Sequence, residues 1–191
     1  MPLLDHFDLL APLYDKVIGS KDPVKIMEYG GFPVKGMVLD AGGGTGRISQ
    51  ALSGQASQFV VLDLSFGMLT KAVGKKGLTA VNSHTEALPF PDGVFDTVIM
   101  VDALHHVCDQ ADTARELLRV VKPGGCVVIE EPNIGTIIVK IVALVEKLAL
   151  MRSRFLSPEK IAQLFAGQTV KTRIERESYN AWVVIEKGDT Y

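Results

Sequence analysis

Residues 37–46 constrain the fold of this 191-residue chain more than any other stretch. An apolar run, Met37-Val38-Leu39, leads into Asp40 and then into the loop Ala41-Gly42-Gly43-Gly44-Thr45-Gly46. Gly42, Gly44 and Gly46 allow a tight backbone turn and a close approach by a ligand where side chains would collide. Helical sequence begins at Arg47. A strand, a glycine loop and a helix in that order form the turn at which open α/β sheets hold nucleotide-like ligands. The dinucleotide fingerprint Gly-x-Gly-x-x-Gly requires glycine at 47 or 49, where the chain has Arg47 and Ser49. A phosphate-binding P-loop closes with Gly-Lys-Ser/Thr, and this loop contains no lysine. What remains is Asp-x-Gly-x-Gly-x-Gly, with an acid at the strand end. That acid suits a cationic ligand and repels a diphosphate.

The rest of the chain alternates apolar runs with helical patterns, the signature of a parallel sheet covered on both faces. Strands are expected at 36–40, Gln58–Leu62 (ending at Asp63), Leu78–Asn82, Phe95–Val101 and Cys126–Glu130. Helices are expected at Arg47–Leu52, Phe66–Val73 and Asp112–Val120, the last stopped by Lys122-Pro123-Gly124-Gly125. Ser157-Pro158-Glu159 opens a helix that runs to Phe165, with proline at its first position. Val170–Glu175 and Ala181–Glu186 read as two final strands, the second inserted antiparallel. The fold class is therefore α/β: a Rossmann-like, doubly wound, seven-stranded sheet, mainly parallel, with one antiparallel strand near the C-terminus. Residues 1–191 read as a single domain, with an N-terminal capping helical region at 1–30 and an apolar insert at 133–156.

Composition narrows the function. Hydrophobic residues make up 47% of the chain, which a packed core requires. The net charge of −2 provides no broad basic field, so nucleic acid is not expected as a partner. Cys108 and Cys126 lack metal spacing and read as reduced thiols of a cytoplasmic protein. The N-terminus has no secretory pattern, and no uninterrupted apolar run is long enough to span a bilayer.

The glycine-loop string resembles motif I of the class I S-adenosylmethionine-dependent methyltransferases, and the resemblance extends along the chain in order. Asp63 lies at the end of the second strand, where a carboxylate can accept both ribose hydroxyls. Asp63-Leu64-Ser65-Phe66-Gly67-Met68-Leu69 looks like the family's Asp-x-Ser-x-x-Met-Leu segment, whose apolar residues flank adenine. Glu86-Ala87-Leu88-Pro89-Phe90-Pro91-Asp92 and Leu118-Arg119-Val120-Val121-Lys122-Pro123-Gly124-Gly125 resemble two further family stretches. His6-Phe7-Asp8-Leu9-Leu10-Ala11-Pro12-Leu13-Tyr14-Asp15 resembles the N-terminal segment of small-molecule methyltransferases, including the quinone-biosynthesis branch.

The resemblance implies S-adenosyl-L-methionine as cofactor, with S-adenosyl-L-homocysteine as product. It implies cofactor contacts at Asp40, Gly42, Gly44, Gly46, Asp63, Leu64, Met68, Thr85, Glu86, Val101 and Tyr14. The family commonly places an acid where this chain has His84, so the adenine contact there rests on the histidine or on the backbone at Thr85.

Chemistry is expected at the carboxyl ends of strands four and five. His105 and His106 are the candidate bases, since histidine titrates near neutrality, and Glu131 is a candidate pocket carboxylate. No metal site is expected. Thr136–Met151 is rich in Ile, Val, Leu and Ala. It reads as a core helix, a lid over an apolar acceptor, a homodimer contact or a peripheral membrane contact. Two functions stand. One is methyl transfer to a small, apolar, quinone- or lipid-like molecule; the other is non-enzymatic binding of S-adenosylmethionine or S-adenosylhomocysteine with a degenerate acceptor pocket.

Overall fold

The structure, a computed structural model, describes residues 23–133, 153–177 and 179–189. Among these residues seven strands form one sheet. They are Met37–Ala41 (β1), Gln58–Asp63 (β2), Leu78–Asn82 (β3), Phe95–Val101 (β4), Val121–Pro132 (β5), Val170–Glu177 (β6) and Asn180–Lys187 (β7). Their spatial order is β3-β2-β1-β4-β5-β7-β6. Strands β1 to β5 pair in parallel, whereas β7 runs antiparallel to both β5 and β6. β7 is thus the one reversed strand in the sheet, as the sequence suggests.

The helices are Val24–Tyr29 (α1), Arg47–Ala51 (α2), Phe66–Val73 (α3), Gln110–Val120 (α4) and Pro158–Gln163 (α5). Helix α4 turns Ala114, Leu117 and Leu118 onto the sheet, and α5 adds Ile161. Together they cover a cluster containing Leu39, Val98, Met100, Val127 and Ile129. The opposite face buries Val38, Phe59, Ile99, Val128 and Trp182 against Ile26 of α1 and Ile48 of α2. Leu69 and Ala72 of α3 pack on Val61. Consecutive residues of β1, β2 and β4 are buried because both faces are covered. The edge strand β6 instead carries Lys171, Arg173, Arg176 and Glu177, charges that discourage another strand from pairing there.

Two elements start two or more residues before the sequence expectation. Helix α4 starts at Gln110 rather than Asp112, because the Asp109 carboxylate accepts from the Ala111 and Asp112 N–H groups and caps it. Strand β5 starts at Val121 rather than Cys126. Val121 pairs with Phe95 and Cys126 with Thr97, so Lys122-Pro123-Gly124-Gly125 is an irregularity inside the strand rather than a turn before it.

Strands β2 and β3 lie on one side of β1, and β4 and β5 on the other. The winding direction reverses between β1 and β4, and the carboxyl ends of these strands flank the crevice where such sheets bind ligands. Among the described residues no helix is long and apolar enough to cross a membrane.

Candidate active site

The glycine loop is tied to the end of β2. The N–H groups of Gly42 and Gly43 both donate to the Leu62 carbonyl, at 2.7 and 3.1 Å. Gly44 has φ of 55°, and a Cβ there would meet only the Asp63 Oδ2, 3.9 Å away. A non-glycine residue would be strained at this position, and the open space beside it admits a ligand. The Gly44 N–H donates to Asp63 Oδ2 and the Ser65 N–H to Asp63 Oδ1, both at 2.8 Å. Two loops therefore aim one carboxylate. Asn82, which sequence reasoning missed, donates its side-chain amide to the carbonyls of Asp63 and Leu64 and holds the same turn from β3.

Beside Asp63, Leu64 and Phe66 are 53% and 68% exposed, which is unusual for large apolar side chains. Met68 departs from the sequence expectation of a contact beside adenine. It is only 2% exposed, on the inward face of α3 with Leu69 and Ala72, and its backbone N–H donates to the Ser65 hydroxyl. The apolar surface presented at this turn comes from Leu64 and Phe66 instead.

Asp40 lies under the loop. It is 1% exposed and accepts from the Ser49 hydroxyl at 2.6 Å. A Cβ on Gly43 would come within 2.5 Å of the Asp40 carboxyl carbon, so only glycine can pass over it. Burial raises the Asp40 pKa to about 6, against the opposing effect of the Ser49 hydrogen bond. The raised value means that ionised Asp40 costs stability, and this cost builds as pH rises from about 4 to about 6. Asp40→Asn should therefore stabilise the ligand-free protein by about 2–3 kcal/mol at pH 7.5 and by almost nothing near pH 4. Denaturant titrations at the two pH values check this.

The loop after β3 is clamped from the far side of the crevice. Glu86 Oε1 accepts from the backbone N–H groups of Cys108 (2.8 Å) and Asp109 (3.2 Å). Thr85 is buried, with its hydroxyl 3.2 Å from that of Thr113, so this position offers a ligand only its main chain. The His84 ring is exposed and lies 3.8 Å from Glu86 Oε2.

Val101, half-buried, ends β4. Asp102 follows with a φ of 51°, the one non-glycine residue with positive φ among the described residues, and its N–H donates to the Glu130 carbonyl. Such strain at a strand end facing a crevice marks a constrained turn. Leu104–His106 then forms a single 3-10 turn. Glu131, 3% exposed, holds this turn from β5: Oε1 accepts from the Leu104 N–H at 2.8 Å, and Oε2 lies 2.6 Å from His105 Nδ1. The His105 ring is 3% exposed, stacked on Phe155 with centroids 4.3 Å apart and adjoining the His106 ring at 3.9 Å.

His106 is half-buried, with Nδ1 3.3 Å from the Ser153 hydroxyl. Burial, reinforced by neighbouring His105, pushes its pKa down to about 3, so it is neutral across the physiological range. Glu130, on the opposite sheet face, accepts from the Asn180 side chain at 2.6 Å. Tyr14 and Thr136–Met151 lie outside the described residues.

Removing Glu131 should damage the fold. Glu131→Ala leaves the Leu104 N–H and the His105 ring buried without their acceptor and should cost about 3–5 kcal/mol in chemical denaturation. Glu131→Gln, which keeps one acceptor oxygen, should cost less.

A cavity of about 560 Å³ lies at the other end of the strands. Tyr29, Lys35, Asp96, Lys122 and Arg173 are among its lining residues. Asp96 and Lys122 sit at the starts of β4 and β5, so this cavity does not adjoin Asp63 or His106. Among the described residues no group of His, Cys, Asp and Glu could hold a metal ion.

A methyltransferase domain matches residues 39–129, which include the glycine loop, Asp63 and the histidine turn but end before Glu131. Over this stretch the chain is similar to the class I S-adenosylmethionine-dependent methyltransferases. It is 38% identical over 104 residues to the ubiquinone/menaquinone biosynthesis C-methyltransferase UbiE of Shewanella sediminis, covering 49% of this chain and 41% of that protein. It is 38% identical over 116 residues to a demethylmenaquinone methyltransferase of Mycolicibacterium vanbaalenii, covering 61% and 50%. The chain thus spans about half the length of these curated relatives. Among solved structures, a SAM-dependent methyltransferase from Aquifex aeolicus shares its fold, with a TM-score of 0.66 and 20% identity over 96% of this chain and 98% of that one.

Proposed function

We propose that this chain is an S-adenosylmethionine-dependent methyltransferase that transfers a methyl group to a small apolar acceptor of the quinone type, using the crevice between β1 and β4. The observation that carries the reading is the opposition of two built clusters across one switch point. On one side Asp63 is aimed by the Gly44 and Ser65 amides, and on the other the 3-10 turn is held by Glu131.

The residues present fit an adenosyl group. The carboxylate of Asp63 is oriented to accept the two ribose hydroxyls, and the exposed faces of Leu64 and Phe66 suit a purine ring. The open side of Gly44 lets the rest of the ligand approach the backbone. Gly42 and Gly46 shape the same loop, and the main chain at Thr85 closes the nucleobase side with Glu86 as its clamp. Asp40 acts from below, as a buried negative charge favourable to a cation above the loop. Val101 and Tyr14 belong to the methionine end of this assignment. S-adenosylmethionine, when bound, supplies an electrophilic methyl group on a sulfonium.

The chain's own task is to orient the acceptor and exclude water. His106 is assigned to hydrogen-bond the acceptor. With a pKa near 3 it is neutral across the physiological range and able to accept, but it is too weak a base to keep the proton that the acceptor loses, which leaves to bulk solvent once the methyl group has been transferred and the crevice opens. His105 and Glu131 hold the turn in place.

Identity to quinone C-methyltransferases supports a quinone-type acceptor, as does the apolar character of Thr136–Met151. A cytoplasmic location with peripheral membrane contact, and a homodimer through the same stretch, belong to this reading; vesicle flotation and sedimentation test them. The functional test is incubation with S-adenosylmethionine and demethylmenaquinone, followed by mass spectrometry. A product heavier by one methyl group is expected. Binding of S-adenosylhomocysteine without a methylated product from any quinone would instead favour a non-enzymatic binding protein.

A further inference from the structure

Residues 153–155 are stitched to the histidine turn at several points. The Arg154 N–H donates to the His105 carbonyl at 2.7 Å, Phe155 stacks on the His105 ring, and the Ser153 hydroxyl lies 3.3 Å from His106 Nδ1. Gln110, the first residue of α4, spans the two segments. Its Nε2 lies 3.0 Å from the Leu104 carbonyl and 2.7 Å from the Arg154 carbonyl. Both neighbours are pure acceptors, so the amide must present its NH₂ to them, and its two hydrogens match the two carbonyls.

We propose that Gln110 is a positioning residue that locks the 153–155 segment onto the histidine turn, so that the placement of His106 and the wall beside it form one unit. Helix α4 is fixed independently of this contact. Asp109 caps its start, and Ala114, Leu117 and Leu118 are buried under the sheet. Gln110 thus projects from a rigid base, and its two hydrogen bonds refer both segments to that base. Glu131 ties the 3-10 turn to β5, whereas Gln110 is the side chain that bonds the turn and the irregular residues 153–156 together. Loss of the clamp should free the Arg154 amide and loosen the His106 ring without touching Asp63 or the glycine loop.

The proposal rests on the reading of His106 as an acceptor-side group, and its test separates the two. Gln110→Met keeps the length and bulk of the side chain but removes both donors, whereas Gln110→Arg restores donors able to reach two carbonyls. Hydrogen exchange on the full-length chain, with S-adenosylhomocysteine bound, should show the Arg154 amide exchanging at least about tenfold faster in Gln110→Met and close to the wild-type rate in Gln110→Arg, with the β1 and β4 amides unchanged. With demethylmenaquinone as acceptor, kcat should fall about tenfold or more in Gln110→Met while the KM for S-adenosylmethionine stays within threefold. Unchanged Arg154 exchange in Gln110→Met overturns the proposal, as does faster exchange with full turnover. A wild-type protein that methylates no quinone, yet shows the predicted exchange pattern, overturns the functional reading and leaves the clamp in place. If Gln110→Met does not fold, Gln110→Glu gives the same exchange test, since a carboxylate facing two carbonyls cannot donate to either.

Discussion

Asp63→Ala should weaken S-adenosylhomocysteine binding about a hundredfold, while His84→Ala should leave it within about threefold. Each ribose hydroxyl given to an ionised carboxylate forms a charge-assisted hydrogen bond worth roughly 1.5–3 kcal/mol, and Asp63 is aimed to take two. The same substitution takes the acceptor from the Gly44 and Ser65 amides, which then point into the crevice uncompensated. His84 has no comparable anchoring: its ring is exposed, and Glu86 Oε2 lies 3.8 Å from its Nδ1. Calorimetry of the two variants decides the matter. Equal losses in two folded proteins would mean that the ribose lies elsewhere.

His106→Asn should lower kcat about a hundredfold and leave S-adenosylhomocysteine affinity within about twofold, because an acceptor that loses its orienting hydrogen bond also loses its line of attack. His105→Asn should instead act mainly through stability, since that ring is buried between Phe155, His106 and Glu131. The pH profile separates His106 from an ordinary histidine base. With its pKa pressed to about 3, protonation does not remove the neutral ring until far below neutrality, so kcat should show no histidine limb between pH 5 and 8. A limb near pH 6.5 that disappears in His106→Asn would make His106 the proton acceptor and overturn its assignment as an orienting group.

Much of the scaffold was legible because local chemistry and tertiary packing agree. Phe66–Val73, Leu78–Asn82 and Phe95–Val101 occur with the boundaries the sequence suggests. Ser65 caps the first of these, and pairing along both edges, with β1 and β5, defines the last. Strand β5 was only half legible. Proline and two glycines read as a terminator, yet Val121 finds a partner in Phe95 before the irregularity, and sheet pairing overrides the local signal.

The site divides in the same way. Asp63 and the glycine loop stand out in the sequence because each belongs to a short motif at a strand end, and the Gly44 N–H joins them in the structure. The orientation of Met68 was not legible because the segment reads as a string, whereas the helix turns Met68 inward with Leu69 and Ala72 and leaves Phe66 outside. Asn82, Gln110 and Ser153 gave no signal, since their partners are 19, 44 and 47 residues away in the chain. The buried state of Asp40 could have been anticipated. β1 is covered on both faces, and a carboxylate one residue before the glycine loop then has to meet a donor such as Ser49.

A crystal structure with S-adenosylhomocysteine tests the proposed site most directly. The predicted result has both ribose hydroxyls on the Asp63 carboxylate, the purine against Leu64 and Phe66, and the thioether directed toward the His106 turn. A ligand seated instead in the cavity at the amino ends of β4 and β5, among Tyr29, Lys122 and Arg173, would contradict it.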